Sequence, residues 1–226
     1  MGPAVHDSSD NAAAVLQGRE EIFDAILGLD ADTMRQLILG FQASGGTDLV
    51  VADVLIPVLR RVGDMWASGQ LSVLHEHHAS RIVRSVMAEF RRPATQIEVQ
   101  VPVVMACPPG ELHDLPSHLF SLMLLERGLT PVVLGADTPW KATAAAVRSC
   151  SARACVLSGM KPAGLRHRSA VVKLLAQSAP VLVAGPLGER TSIPGVIALP
   201  ANWRLAGDQV LAAATRATSP ATVGAS

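Results

Sequence analysis

The sequence predicts an α/β protein in two parts, an N-terminal four-helix bundle followed by a doubly wound parallel sheet. Three observations carry that prediction. Up to Phe90, apolar residues recur at helical spacing, as in Val15, Ile22, Ala25, Ile26 and Leu29. Beyond Arg91-Arg92-Pro93, apolar runs of strand length alternate with helical stretches, the pattern of strands buried on both faces. The chain has 226 residues, 49% of them hydrophobic, which is ample for a buried core and suits one large domain or two small ones.

The elements follow in order. Asn11 to Leu29 is the first helix. Asp30 or Asp32 caps a second helix running to about Ala43, which Gly45 and Gly46 end. Thr47 caps a third helix through about Trp66, in which Pro57 imposes a kink or a break. Ser72 caps a fourth, running to about Phe90. Short Gly-containing turns between amphipathic helices make an antiparallel bundle. The strands are Val99 to Ala106, Thr130 to Leu134, Ala154 to Leu157 and Val181 to Ala184, with Val196 to Leu199 a candidate fifth. Helices lie at Leu112 to Arg127, Trp140 to Ser149, Ala163 to Gln177 and Leu205 to Ala217. The expected boundaries are a helical domain at 1–92, a sheet domain at 97–218 and a disordered tail at 219–226.

Composition removes several function classes. With 19 basic and 19 acidic residues the formal net charge is zero, and no dense Lys/Arg cluster supports direct nucleic-acid binding. There is no Tyr, and only 3 Trp and 4 Phe, so a base-stacking platform is hard to assemble. The apolar runs, such as Val101 to Cys107, fall short of a membrane span, and Met1 to Asn11 lacks the pattern of a signal peptide. The expectation is a cytoplasmic protein. Cys107, Cys150 and Cys155 lack CxxC spacing and read as reduced, mostly buried thiols rather than zinc ligands. No Gly-x-Ser-x-Gly, GxGxxG or phosphate loop is present, so a sensor or binding protein is expected rather than a self-contained enzyme.

In open α/β sheets, ligands bind outside the carboxyl ends of the strands. The first strand ends in such a place, and Cys-Pro-Pro-Gly-Glu-Leu-His-Asp follows, carrying Glu111, His113 and Asp114. A carboxylate that accepts the proton on one imidazole nitrogen makes the other nitrogen a better metal ligand. On location alone, a solvated loop histidine is the commoner outcome.

The wider pattern resembles a known family. Glu111, His113 and Pro116 fall on the Asp-x-His-x-x-Gly signature of His-on cobalamin-binding domains, which are Rossmann-like. Glu replaces Asp, as in the CarH-type subgroup of light-dependent regulators, and Pro replaces Gly. Ser158 falls on the family's small hydroxyl residue after the third strand, and Ala184-Gly185 on its Gly pair after the fourth. Leu134-Gly135-Ala136-Asp137-Thr138-Pro139 is similar to the family's loop after the second strand. The resemblance implies that His113 is the lower axial ligand of cobalt, beside Glu111 and Asp114. It also implies that Ser158 and Gly185 leave room for the detached dimethylbenzimidazole tail.

The helical half extends the likeness. Trp66 and Glu76-His77 match the Trp-x9-Glu-His motif of CarH-type photoreceptors, in which the bundle caps the upper face of adenosylcobalamin. The resemblance implies that Trp66 packs over the adenosyl group while Glu76 and His77 help hold it. Each residue alone also reads as ordinary core or a solvated helix face. Ala67 stands where the family places a second histidine, so His75, His77, His78, His118 or water would have to take that role after photolysis.

The resemblance covers about Ala12 to Leu211. It implies a light sensor that signals by a conformational or oligomeric change after the Co–C bond is photolysed. The expected partner is a second copy or a separate regulatory protein. Two alternatives remain open: a methyl-carrying corrinoid subunit of a methyltransferase system, and a cobalamin-binding antirepressor or signalling partner. A mutase small subunit fits the α/β half, but the helical cap argues against it. In photocobilin-like relatives a bilin such as biliverdin accompanies the cobalamin. Trp140 or Trp203 would then line its pocket, or else serve as surface packing.

Overall fold

In a computed structural model, the described residues are 6–90, 101–160, 169–189 and 193–216. The chain divides into two compact units, Met1–Pro93 and Ala94–Ser226. The expected boundary at Arg91-Arg92-Pro93 and the expected tail at 219–226 lie outside the described residues.

In the first unit, α1 is His6–Leu27, α2 is Ala31–Asp48, a π-helical stretch is Leu49–Leu55, α3 is Ile56–Ala67 and α4 is Val73–Met87. Asp30 caps α2, its carboxylate accepting from Thr33 N at 3.0 Å and from the Thr33 hydroxyl at 2.7 Å. The Thr33 backbone bond is the main reason the Asp30 carboxyl sits below its ordinary value. The break expected at Gly45 and Gly46 falls on Gly46 alone, whose φ of 74° only glycine adopts easily. The chain re-enters a helix at once, so the expected second and third helices form one interrupted stretch, Ala31–Ala67. By length and composition this stretch could cross a membrane. In this unit, however, its Met34, Ile38, Val50, Val51, Val54 and Leu55 are buried in the core with Ile22 and Ile26 of α1.

Pro57 lies in the first turn of α3, where a proline is tolerated. The disturbance it causes is displaced upstream, into the wide π-helical turn. Pro57 has no N–H for the Asp53 carbonyl four residues back, and Arg19 reaches from α1 to donate to that carbonyl through Nε. Gly18, one residue earlier, gives the Phe41 ring room, since a Cβ there would lie 2.1 Å from it. Arg61 ties α3 to α1, pairing with Glu20 at 2.8 Å and lying 3.7 Å over the Phe23 ring. Ser72 occupies the expected position before α4, but its hydroxyl meets His75 Nδ1 at 3.0 Å and makes no side-chain cap.

In the second unit the strands are β1 (Pro102–Ala106), β2 (Thr130–Gly135), β3 (Ala154–Ser158), β4 (Val181–Ala184) and β5 (Val196–Ala198). Every pairing is parallel and the order is β2-β1-β3-β4-β5. The helices are α5 (Leu115–Glu126), α6 (Trp140–Ser149), α7 (Ser169–Ala176), the single turn α8 (Pro186–Glu189) and α9 (Trp203–Arg216). This is the expected doubly wound sheet. The strand order changes direction between β1 and β3, and ligands of such sheets bind in the crevice above that point.

Three boundaries in this unit differ from expectation by two residues or more. β1 begins at Pro102, and residues 99 and 100 lie outside the described set. α5 begins at Leu115 rather than Leu112, because Pro116 belongs in a first helical turn and the preceding residues form a loop. α9 begins at Trp203 rather than Leu205, because Asn202 Oδ1 accepts from Leu205 N at 3.1 Å as an N-cap does. The start expected at Ala163 for the fourth-strand crossover helix lies outside the described residues.

One test of this packing is the Arg19 contact. An Arg19→Met variant keeps most of the aliphatic stem and removes the donor to Asp53, so stability should fall by about 1–2 kcal/mol. Urea unfolding with an unchanged m-value reads this directly, and wild-type stability would show the contact to be incidental.

Candidate functional site

β1 delivers the chain to the carboxyl edge of the sheet, and residues 107–114 fold there into a loop tied on both sides. Cys107 N donates to Gly135 O at 3.1 Å, Thr138 N donates to Cys107 O at 2.9 Å, and Glu111 N donates to Pro108 O at 2.9 Å. The Glu111 side chain is buried although it belongs to a loop. One carboxylate oxygen accepts from His113 N at 3.0 Å and lies 2.7 Å from His113 Nδ1. The other accepts from Met160 N, beyond β3, at 2.6 Å. Gly159 makes this approach possible, because a Cβ there would stand 3.0 Å from the carboxylate.

Burial alone would push the Glu111 carboxyl up. The N–H groups of His113 and Met160, with the His113 ring, outweigh it and hold the group below its ordinary value of 4.5. An ionised carboxylate only accepts, so this contact places the His113 proton on Nδ1 and leaves the Nε2 lone pair free. The His113 side chain is 61% exposed, and exposed Leu112 and Met160 flank it with apolar surface. The arrangement is a carboxylate–imidazole pair with its second nitrogen presented outward, the chemistry of a tuned metal ligand.

The other expected residues of this unit surround the same strand ends. Asp114 precedes α5, and its carboxylate lies 3.4 Å from His118 Nε2, one helical turn on. Ser158 ends β3 and its hydroxyl bonds that of Ser117. Gly185 follows β4 with φ of 72°, and a Cβ there would lie 3.2 Å from Gly159 O. The sequence reading missed two participants. Cys107 Sγ lies 3.5 Å from Ser117 Oγ and 3.6 Å from Ser158 Oγ, so thiol and hydroxyls form one cluster between β1 and β3. The signal was position alone, since Cys107 follows the first strand directly and Ser117 follows Pro116.

In the helical unit, Trp66 lies in the last turn of α3 and is 45% exposed, so it is not core. Ala67 beside it is also exposed. Glu76 lies in the first turn of α4, where one carboxylate oxygen is 2.5 Å from His77 Nδ1 and the other accepts from Ser80 Oγ at 2.8 Å. The exposed Val73 and Leu74 lie at the same α3–α4 end. Trp203 packs edge-on against Phe120 at 5.7 Å, and Trp140 packs against the strand core, so both tryptophans are engaged in packing within the α/β unit.

The donor set fits a corrinoid. Among the described residues no three His, Cys, Asp or Glu side chains converge as a bare-metal site, and His113 offers one outward ring nitrogen. The apolar flanks suit a flat macrocycle, and the small cluster at Cys107, Ser117 and Ser158 offers hydrogen-bonding atoms beside it.

Residues 19–90 match the family described as B12 binding domain. Over 196 residues the chain is 24% identical to the HTH-type transcriptional repressor CarA of Myxococcus xanthus, a match covering 86% of this chain and 66% of that protein. Over 87 residues it is 33% identical to the HTH-type transcriptional repressor CarH of the same organism, covering 38% of this chain and 29% of that one. The chain thus spans less than two thirds of the length of either relative. Its fold is similar to that of the Methanosarcina barkeri monomethylamine corrinoid protein, with a TM-score of 0.67 at 16% identity over 84% of this chain and 95% of that one. Residues 19–90 thus carry the match to a B12 binding domain, and the chain shares the fold of a corrinoid protein, a helical region followed by a five-stranded parallel sheet.

The Glu111 geometry has a pH signature. Its folded value lies below 4.5, so its stabilisation is fully present above about that pH and is lost as pH falls through the lower folded value. Glu111→Gln should cost about 1–3 kcal/mol near neutral pH, because the amide turns an NH₂ toward a donor. The gap to wild type should close on acidification below 4.5. A gap independent of pH in urea titrations would contradict the assignment.

Proposed function

We propose that this protein is a cobalamin-dependent light sensor in which His113 Nε2 is the lower ligand of cobalt. The observation that carries the reading is the Glu111–His113 contact at 2.7 Å, placed at the point where the strand order changes direction. Glu111 fixes the tautomer and orientation of the imidazole and raises its basicity toward the metal. The cluster of Cys107, Ser117 and Ser158, with Gly185 nearby, receives the nucleotide tail. Adenosylcobalamin supplies a cobalt–carbon bond that visible light breaks.

The helical unit supplies recognition of the adenosyl group. Trp66 excludes water from it through its exposed indole, and Glu76 and His77, already paired with each other, offer acceptors and donors to ribose and base. When these residues lose the adenosyl group, the helical unit loses the ligand that biases its conformation, and the change is read by a second copy or a regulatory partner. The similarity to repressors named CarA and CarH supports a regulatory role. So do the exposure of Trp66 and its spacing to Glu76 and His77. Ala67 sets this chain apart from the CarH type, because it cannot supply the second histidine after photolysis.

A methyl-carrier role is the second reading, supported by the likeness of fold to the monomethylamine corrinoid protein and by Ala67. The two readings part on ligand preference. A sensor holds adenosylcobalamin more tightly than methylcobalamin, and Trp66→Ala erases the difference. A methyl carrier shows no such preference and passes its methyl group to a thiol acceptor.

The decisive spectra are those of purified protein with adenosylcobalamin, before and after green light. The proposal expects bleaching of the dark form together with a change in gel-filtration volume or scattering profile. Identical hydrodynamics in the two states would rule out the sensor. His113→Ala is expected to bind more weakly or to give a base-off spectrum, and an unchanged His-on spectrum would remove His113 as the ligand.

A further inference from the structure

We infer that Asp137, on the loop after β2, is a positioning residue for the His113 ligand, acting through Glu111; the inference rests on His113 being that ligand. Asp137 grips the ligand loop at two adjacent points. Its Oδ1 accepts from Gly110 N at 2.7 Å, and its own N–H donates to Glu111 O at 2.8 Å. Both bonds bracket the residue whose carboxylate orients the His113 ring. Twenty-seven residues of chain separate Asp137 from Gly110, so this is a tertiary clamp rather than a local turn.

The backbone at both ends is committed to this geometry. Asp137 has φ of 46°, in the left-handed region that costs a non-glycine residue energy, and Gly110 has φ of 84°. Asp and Asn tolerate that region better than other side-chain-bearing residues. Asp137 is thus the residue type that can hold both the left-handed turn and an acceptor aimed at Gly110. The same loop is anchored at its ends: β1 and β2 shift register between Met105 and Ala106 opposite Gly135, Thr138 N donates to Cys107 O at 2.9 Å, and the Thr138 hydroxyl donates to Gly135 O at 2.9 Å. Without the Asp137 carboxylate, the Gly110–Glu111 segment keeps only the Glu111 N to Pro108 O bond and the Asp137 N–H. The Glu111 carboxylate must then hold three donors from a looser backbone.

Two substitutions separate the side chain from the turn. Asp137→Gly keeps the left-handed backbone and deletes the acceptor, whereas Asp137→Asn keeps both. The readout without cofactor is the His113 Nδ1 proton in full-length protein labelled with 15N-histidine, assigned by its absence in His113→Ala. The readout with cofactor is the affinity for adenosylcobalamin and the His-on absorption band. Asp137→Gly should speed exchange of the Nδ1 proton, lose protection at the Gly110 amide, and weaken adenosylcobalamin binding by about tenfold or more, the range seen when outer-shell partners of a ligand are removed. Asp137→Asn should match wild type in all three.

A wild-type Nδ1 proton in Asp137→Gly overturns the proposal, even if affinity falls. So does an Asp137→Asn variant that behaves like Asp137→Gly. The two ideas fail separately. If Asp137→Gly disturbs the Nδ1 proton while His113→Ala leaves the cobalamin spectrum unchanged, the positioning role stands and the ligand assignment falls.

Discussion

The ligand site depends on one buried carboxylate. Glu111 accepts from two backbone N–H groups and from the His113 ring, and in doing so joins the loop after β1 to Met160, two residues beyond β3. A charge placed there without donors would be costly to bury. With three donors it stays ionised and stabilises the two strand ends against each other. The neighbours conform to it: Gly159 has no Cβ because one would crowd the carboxylate, and His113 presents its far nitrogen because Glu111 has taken the near one. The fold supplies the place, since a sheet ordered β2-β1-β3-β4-β5 opens its crevice between β1 and β3.

Much of this was legible in the residue pattern. The helices at Trp140 to Ser149 and the strand at Val181 to Ala184 follow directly from uninterrupted periodicity. The helical half was harder. Gly46 bends the chain without ending the helical run, and the π-helical turn before Pro57 has no sequence signal stronger than the proline itself. The Asn202 cap was readable in principle, but it sits before a tryptophan that does not look like a helix start. At the site, Glu111 and His113 stood out because a short motif places them. Ser117 did not, and Cys107 and Asp137 were visible only as members of their loops, because their roles come from contacts across the sheet. Asp137 lies far along the chain from the Gly110 amide it holds, and no local pattern encodes that.

The departures from the CarH-type pattern now have physical content. Pro116 stands where the family signature has glycine; it lies in the first turn of α5, directly before Ser117, whose hydroxyl joins Ser158. Ala67 replaces a histidine next to an exposed Trp66, so the helical unit keeps the apolar surface and lacks the imidazole. The two proposed halves of the site, lower ligand and upper face, therefore rest on separate observations. The first rests on a built carboxylate–imidazole pair, and the second on an exposed indole and the Glu76–His77 pair.

The central claim is that a protein imidazole, positioned by Glu111, binds cobalt in place of the cofactor's own base. Electron paramagnetic resonance of cob(II)alamin on protein labelled with 15N-histidine tests this most directly. A histidine ligand changes the nitrogen superhyperfine splitting from the triplet of 14N to the doublet of 15N, and the account predicts that doublet, lost in His113→Ala. A triplet unaffected by the label would mean that dimethylbenzimidazole remains on the metal, and the account would be wrong at its base.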